Sequence, residues 1–313
     1  LETGNPTGSF KDRQVSVGVT RAVEVCAGTV AVVSSGNVAC AASAYASRAG
    51  LRAVLLMHGH AAPSKVALAA AYGGRAVCVD TPSAAAVFDL CIEACNTFGW
   101  YHLSTAGLYN PFNVEGAKTI AYEVYAQYQG GLPEWIVAPV GGGGLLGALW
   151  RGLLDLKRWG LIERVPHLVG VQASGCAPLK DAIDAGTPFL ETLKRPWRNP
   201  ETIAGGIADD ILFDGHTALP AIRESGGTAL AVDDDAIRAA QRRLATIEGV
   251  LAEPTGAVAA AALEVLPPEA KGTSVCCLIT GTGLKDPAAL AEVSRPPARI
   301  GISLDELARV VEG

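Results

Sequence analysis

Lys11 stands in the short stretch Asn5-Pro6-Thr7-Gly8-Ser9-Phe10-Lys11-Asp12-Arg13, where a Gly-Ser turn runs into the start of a helical pattern. A lysine presented there offers its amine to whatever binds, and an amine can bond a carbonyl carbon or carry a proton. Far along the chain, Gly141, Gly142, Gly143 and Gly144 follow an apolar run and open another helical pattern. Bare glycines between a strand and a helix let the backbone approach an anion, while the first helical N–H groups and the helix dipole face it. Phosphate suits that cradle. Gly142, Gly144 and Gly147 also match the G-x-G-x-x-G fingerprint, so a dinucleotide-binding dehydrogenase is a rival reading. That fingerprint needs an acidic residue closing the next strand. The strand expected there ends in Gln172, so the rival lacks its ribose anchor. Two further small polar loops close apolar runs, Ser34-Ser35-Gly36-Asn37 and Thr280-Gly281-Thr282-Gly283.

The elements that must position these loops follow from periodicity. Val15, Val19, Val23 and Cys26 share one face of a helix expected over 12–26, and the β-branched run 29–33 reads as the first strand. Strands over 53–57, 76–79 and 101–103 then alternate with helices over 39–49, 63–72, 84–97 and 115–129, the last stopped by Gly130-Gly131. The pattern continues through a strand at 135–140, a helix from the four glycines toward Trp159, and a strand at 168–171. After a helix near 178–184 and a polar loop at 187–199 come a strand at 228–232, a helix at 236–248, an Ala-rich helix after Pro254 and a strand at 274–279. Asp233-Asp234-Asp235 suits a helix N-terminus, and Ser303-Leu304-Asp305-Glu306 fits a capping box for a last helix. Alternation of this kind predicts an α/β fold with parallel sheets and crossover helices. Ligands then sit beyond the carboxyl ends of the strands, so the three loops are expected to converge.

Composition narrows the function. Half of the 313 residues are apolar, enough for a sizeable core, and the net charge is −6 with no Lys/Arg cluster. An acidic chain without a basic patch argues against a nucleic-acid or anionic-membrane surface and favours small-molecule chemistry. No apolar run approaches the roughly 18 residues of a spanning helix. The eight cysteines fall in apolar patterns without CxxC spacing, and read as buried hydrophobes in a reducing, cytoplasmic setting rather than disulfides or a metal site.

A phosphate cradle, a presented lysine and an asparagine loop together point to pyridoxal phosphate, whose aldehyde needs an amine partner. The chain resembles the fold type II (tryptophan synthase β-like) pyridoxal-phosphate enzymes, and most closely the threonine synthases. The motifs that carry the likeness are the lysine stretch from Asn5 to Arg13, the asparagine loop, Asn110-Pro111-Phe112 with Glu115-Gly116-x-Lys118-Thr119, the glycine loop, and Thr280-Gly281-Thr282-Gly283-Leu284-Lys285-Asp286. The resemblance implies two doubly wound parallel-sheet domains, a small mobile one over 14–120 and a large one formed by 1–13 and 121–313. It implies that Lys11 forms the Schiff base and then moves the α and β protons of a small amino-acid substrate. Asn37 would bond the ring hydroxyl, Gly141, Gly142, Gly143, Gly144 and Leu145 the phosphate, and Thr280 the pyridine nitrogen. Ser35, Gly36, Val38 and Asn113 would meet the substrate. Glu253-Pro254-Thr255-Gly256-Ala257 also resembles a family segment near the cofactor, although Glu253 alone reads as a helix start. A homodimer is expected on the same ground.

The likeness implies conversion of O-phospho-L-homoserine and water to L-threonine and phosphate. Some positions depart from it. The glycine loop lacks the usual asparagines and runs into Leu145, as in serine/threonine dehydratases. Asn113 stands at a common arginine, Val38 at a common threonine, and Thr282 at a common histidine or asparagine. These leave a serine/threonine dehydratase, or β-replacement on a phosphoserine-like substrate, as alternatives within the chemistry. A non-catalytic binding protein is an alternative outside it. Leu1-Glu2-Thr3 reads as the end of a strand, so a preceding segment is expected; with only a short tail after Asp286, the regulatory domain of the long allosteric threonine dehydratases is not expected.

Overall fold

The computed structural model describes residues 1–58, 63–81, 84–129, 131–293 and 298–312. Its first half runs α1 (Lys11–Glu24), β1 (Thr29–Val33), α2 (Asn37–Arg48), β2 (Arg52–His58), α3 (Pro63–Ala71), β3 (Arg75–Val79), α4 (Ala84–Phe98), β4 (Tyr101–His102), α5 (Pro111–Gly116) and α6 (Thr119–Gln127). The second runs β5 (Trp135–Pro139), α7 (Gly144–Arg158), β6 (His167–Ala173), α8 (Pro178–Asp184), α9 (Phe189–Thr192), α10 (Gly215–Glu224), β7 (Thr228–Val232), α11 (Asp234–Ile247), α12 (Pro254–Ala261), β8 (Val275–Cys277), α13 (Pro287–Val293) and α14 (Leu304–Glu312). No helix among the described residues is long and apolar enough to cross a membrane.

The strands form two four-stranded sheets, ordered β3-β2-β1-β4 and β7-β6-β5-β8, and every pairing is parallel. The second order is the first with four added to each strand, a repeat of topology that no sequence repeat announces. In each sheet the chain reverses its direction of growth at one strand. Val30 of β1 pairs with Ala53 and Tyr101, and Trp135 of β5 with His167 and Val275. These are the switch points where crevices open beyond the strand ends. The asparagine loop leaves β1, and the four glycines follow β5.

Each sheet has its own cores. Val15, Val19 and Ala22 of α1 pack with Ala39, Cys40, Leu55 and Leu103 over the first sheet. On α7, Leu146, Leu149, Leu153 and Leu156 recur at 3-4-3 spacing and are all buried against the second sheet. Each such leucine contributes roughly 1.5–3 kcal/mol. Lys157 and Arg158 close that helix where its dipole favours cations. The carboxylate of Asp233 accepts the Ala236 N–H at 2.7 Å, the cap expected for α11.

Three expectations are corrected. Residues 115–129 form two helices, because Asn110 caps an earlier start, accepting the N–H groups of Phe112 at 3.2 Å and Asn113 at 3.3 Å with Pro111 in the first turn. The chain turns after Gly116 and restarts at Thr119. Leu1-Glu2-Thr3 is no strand end: Glu2–Gly4 is a 3-10 turn, with the Glu2 N–H donating to the Ile279 carbonyl at 2.9 Å. The loop at 187–199 contains the short α9. Gly130 and the side chain of Glu306 lie outside the described residues.

Gly116 is where α5 crosses α1: a Cβ there would lie 1.9 Å from the Arg13 carbonyl oxygen. Backbone cannot rotate aside as a side chain can. Gly116→Ala is therefore expected to destabilise the fold by about 1–3 kcal/mol, read as a lowered midpoint in urea unfolding of the cofactor-free protein.

Candidate active site

Lys11 is the first residue of α1, and several ties fix the turn that presents it. The Asp12 carboxylate accepts the Thr7 N–H at 3.0 Å and the Thr7 hydroxyl at 2.9 Å. Lys285 Nζ donates to the Thr7 carbonyl at 2.8 Å, and the Phe10 N–H to the Thr280 carbonyl at 3.0 Å. The lysine stretch and the C-terminal motif are thus laced together, although 278 positions separate Thr7 from Lys285. Lys11 Nζ donates to Gln14 Oε1 at 3.1 Å and sits 4.5 Å from the centre of the Phe10 ring.

This amine faces a cavity of about 510 Å³ between the two sheets. Gly141, Gly142, Gly143, Gly144 and Leu145 line one side, and Thr280 lies on the wall with Lys11. Gly143 has φ +100°, and a Cβ there would come 3.0 Å from that of Ala218 and 3.3 Å from the Asp214 carbonyl carbon. Only glycine makes this turn into α7 without strain. Thr280 is buried, and its hydroxyl has no partner among the described residues. A buried hydroxyl costs stability unless something meets it. A glycine cradle at a helix N-terminus, an orphan hydroxyl and a lysine amine lining one cavity fit a phosphorylated pyridine aldehyde.

The other expected site residues stand apart. Ser35, Gly36, Asn37 and Val38 are half-buried beyond β1, and none of them lines the cavity. Asn37 Nδ2 donates instead to Glu253 Oε1 at 2.5 Å. Val38 packs against the first lobe's core. Asn113 is fully buried in the seam between α1 and α5, its Nδ2 donating to the Ser104 carbonyl at 2.7 Å. Its side chain holds the end of β4; Ser104 and Thr105, not Asn113, reach the cavity.

The sequence reading passed over the segment 205–214, which supplies the far wall. The Asp209 carboxylate, on the cavity wall, accepts the Gly142 N–H at 2.6 Å and so occupies a donor of the phosphate cradle. The buried Asp214 carboxylate accepts the Gly107 N–H at 2.8 Å, and the Asp214 N–H donates to the Gly142 carbonyl at 2.7 Å. Asp214 therefore joins the loop after β4 to the glycine loop. Only the Asp209-Asp210 pair within a glycine-bearing polar loop hinted at this wall.

Charge in the cavity is lopsided. Among its described lining residues Lys11 is the one lysine or arginine, against Asp89, Asp209, Asp210 and Asp214. Desolvation lowers the Lys11 amine to about 8, against an upward pull from Asp209 and Asp214. The same desolvation raises both carboxyls, opposed at Asp209 by Lys11 and the Gly142 N–H, and at Asp214 by the Gly107 N–H and His216. Burial also holds the His102 imidazole toward its neutral form. His102 stacks edge-on with Phe88 at 5.3 Å, and Tyr109 bridges Phe88 at 4.7 Å to Phe213 at 6.3 Å. These rings form an aromatic side to the cavity.

Comparison with known proteins shows the family. The family model described as "Pyridoxal-phosphate dependent enzyme" matches residues 1–281. The chain is 37% identical over 317 aligned positions to a threonine synthase of Methanosarcina acetivorans, covering 99% of this chain and 75% of that protein. It is 36% identical to a threonine synthase of Methanocaldococcus jannaschii, covering 99% and 76%. Among solved structures, a threonine deaminase of T.th. superposes with a TM-score of 0.74 at 27% identity, over 96% of this chain and 87% of that one. With a lysine, a glycine cradle and an orphan threonine in one cavity, and a family match over most of its length, the chain belongs to the pyridoxal-phosphate dependent enzymes of fold type II.

Proposed function

We propose that the protein is a lyase of the threonine synthase type, converting O-phospho-L-homoserine and water to L-threonine and phosphate. The observation that carries this reading is the near-full-length likeness to threonine synthases. When bound, pyridoxal phosphate supplies an electron sink that makes the α and β protons of an amino acid labile and lets a γ substituent leave.

The chain's own residues do the rest. The N–H groups from Gly141 to Leu145 would hold the cofactor phosphate at the start of α7. Thr280 would offer the pyridine nitrogen a neutral hydroxyl, which would leave that nitrogen largely unprotonated and favour elimination and replacement over transamination. Asn37, which does not line the cavity itself, would meet the ring hydroxyl from the loop after β1. Ser35 and Gly36, with the N-terminus of α2, meet the substrate carboxylate. Lys11 would hold the cofactor aldehyde in the resting enzyme, and its amine would then take protons, first from Cα and then from Cβ. Its lowered pKa suits it to that work near neutral pH. Phosphate would leave from Cγ with its bridging oxygen, the two protons taken from Cα and Cβ would be returned at Cγ and Cα, and water would supply the hydroxyl at Cβ. Residues 14–120 move as a small lobe against the remainder and exclude water when closed. The enzyme works in the cytoplasm as a homodimer, for which light scattering on the eluting protein should give twice the chain mass.

A second reading, elimination from serine or threonine, is favoured by the lining of the cavity: a substrate phosphate would find several carboxylates and, among the described lining residues, no arginine. A substrate panel separates the two. Threonine and phosphate in equal amounts from phosphohomoserine support the synthase. Release of 2-oxobutyrate or pyruvate with ammonia from threonine or serine, and no turnover of phosphohomoserine, supports the dehydratase.

A further inference from the structure

Glu253 stands at the N-cap place before α12, yet its carboxylate makes no capping bond. It is 2% exposed, and a buried carboxylate must be paired to be tolerated. Both oxygens find partners in the first lobe. Oε1 accepts Asn37 Nδ2 at 2.5 Å, at the first residue of α2. Oε2 accepts Lys65 Nζ at 3.4 Å, from α3, and the same ammonium lies 3.8 Å from Asp286 of the C-terminal motif.

Glu253 is equally tied to its own lobe. Its N–H donates to the Gly281 carbonyl at 3.1 Å, and Gly281 pairs with Ser9 in a short bridge. A Cβ on Gly281 would collide with Glu253 Oε1, so the side chain lies directly on the backbone that carries Thr280. One carboxylate therefore touches the asparagine loop and the segment of the orphan threonine, one bridge away from the turn that presents Lys11.

The chemistry of the contact fixes an orientation. A carboxylate only accepts hydrogen bonds, so it must face the amide nitrogen of Asn37. The carbonyl oxygen, Oδ1, is turned away, and it is buried without a partner among the described residues. An asparagine at a helix start could rotate freely if it served only the helix. Here it is locked, with one acceptor and one N–H left over.

We infer that Glu253 is a positioning residue for the cofactor: it sets the Asn37 amide so that its remaining groups meet the cofactor ring, and with Lys65 it clasps the two lobes at that point. This rests on the reading that Asn37 meets the ring hydroxyl. A glutamine at 253 can donate as well as accept, so it no longer dictates which end of the Asn37 amide faces it, and it releases Lys65.

The test is a double-mutant cycle on the full chain, read by the cofactor dissociation constant and by the absorbance band of the bound cofactor, with apo-protein unfolding measured alongside. Asn37→Ala and Glu253→Gln are each expected to weaken cofactor binding about tenfold and to move the band. The double variant should be no weaker than Asn37→Ala alone, because Glu253 acts through Asn37. Lys65→Met, at the edge of the clasp, should weaken binding to a smaller degree and covers the case in which Glu253→Gln fails to fold. If Asn37→Ala changes neither quantity, the cofactor role of Asn37 is wrong. If Asn37→Ala changes both while Glu253→Gln and Lys65→Met change only the unfolding midpoint, or if the two single effects add, the positioning role is overturned on its own.

Discussion

Lys11→Ala is expected to abolish the long-wavelength absorbance of lysine-bonded cofactor and to lower turnover by about 10²–10⁴-fold or more, the range for losing a positioned proton-transfer group. The fold should survive. Among the described residues Lys11 makes one side-chain hydrogen bond, to Gln14, while the turn around it is held by Asp12, Thr7 and Lys285. Losing one half-buried amine whose pKa is already depressed removes a desolvation cost along with that bond. Spectra and turnover should therefore collapse while the unfolding midpoint moves little. Unchanged spectra in this variant would mean that another amine holds the cofactor.

The second large effect concerns pH and Asp209. Bonding to an aldehyde requires the unprotonated amine, so attachment of the cofactor should rise with pH through the Lys11 value of about 8. Asp209 acts against loading in two ways: its charge raises the Lys11 pKa, and its carboxylate occupies the Gly142 N–H that a phosphate would use. Asp209→Asn should move the loading curve to lower pH and tighten cofactor binding about tenfold, the scale of one charge-assisted hydrogen bond. The sign for stability also follows. Between about 8 and the ordinary 10.5 the unfolded chain binds more protons at Lys11 than the folded chain does, so this residue makes cofactor-free stability rise with pH across that window. The raised carboxyls of Asp209 and Asp214 act in the opposite direction at acid pH. Absorbance titrations and urea unfolding across pH measure both.

What the sequence made legible was the part governed by local rules. Apolar runs of four to six residues, each stopped by small polar residues, gave the order of the strands, and parallel pairing followed from alternation with helices. Lys11, the four glycines and Thr280 could be read because each lies at a strand or helix end, where backbone geometry demands a residue type. What escaped depends on contacts distant in sequence. The earlier helix start at Pro111 answers to the Asn110 cap, and the glycine at 116 to the close approach of Arg13, some hundred positions away. Asn113 has the look of a site residue in its motif, yet it serves the α1–α5 seam through Ser104. Asp209 and Asp214 lie in a loop with no periodicity, and matter only because that loop folds over the glycines. Glu253 resembled a helix start, and its partners at 37 and 65 emerge only when the lobes meet.

The central claim is that phosphate leaves from Cγ and water enters at Cβ in a site built on Lys11. Turnover of O-phospho-L-homoserine by the cofactor-loaded protein in heavy-oxygen-labelled water tests it most directly. The account predicts threonine with the label in its hydroxyl group and unlabelled phosphate, both lost in Lys11→Ala. Labelled phosphate with homoserine, or no product from this substrate while serine or threonine is deaminated, would contradict it.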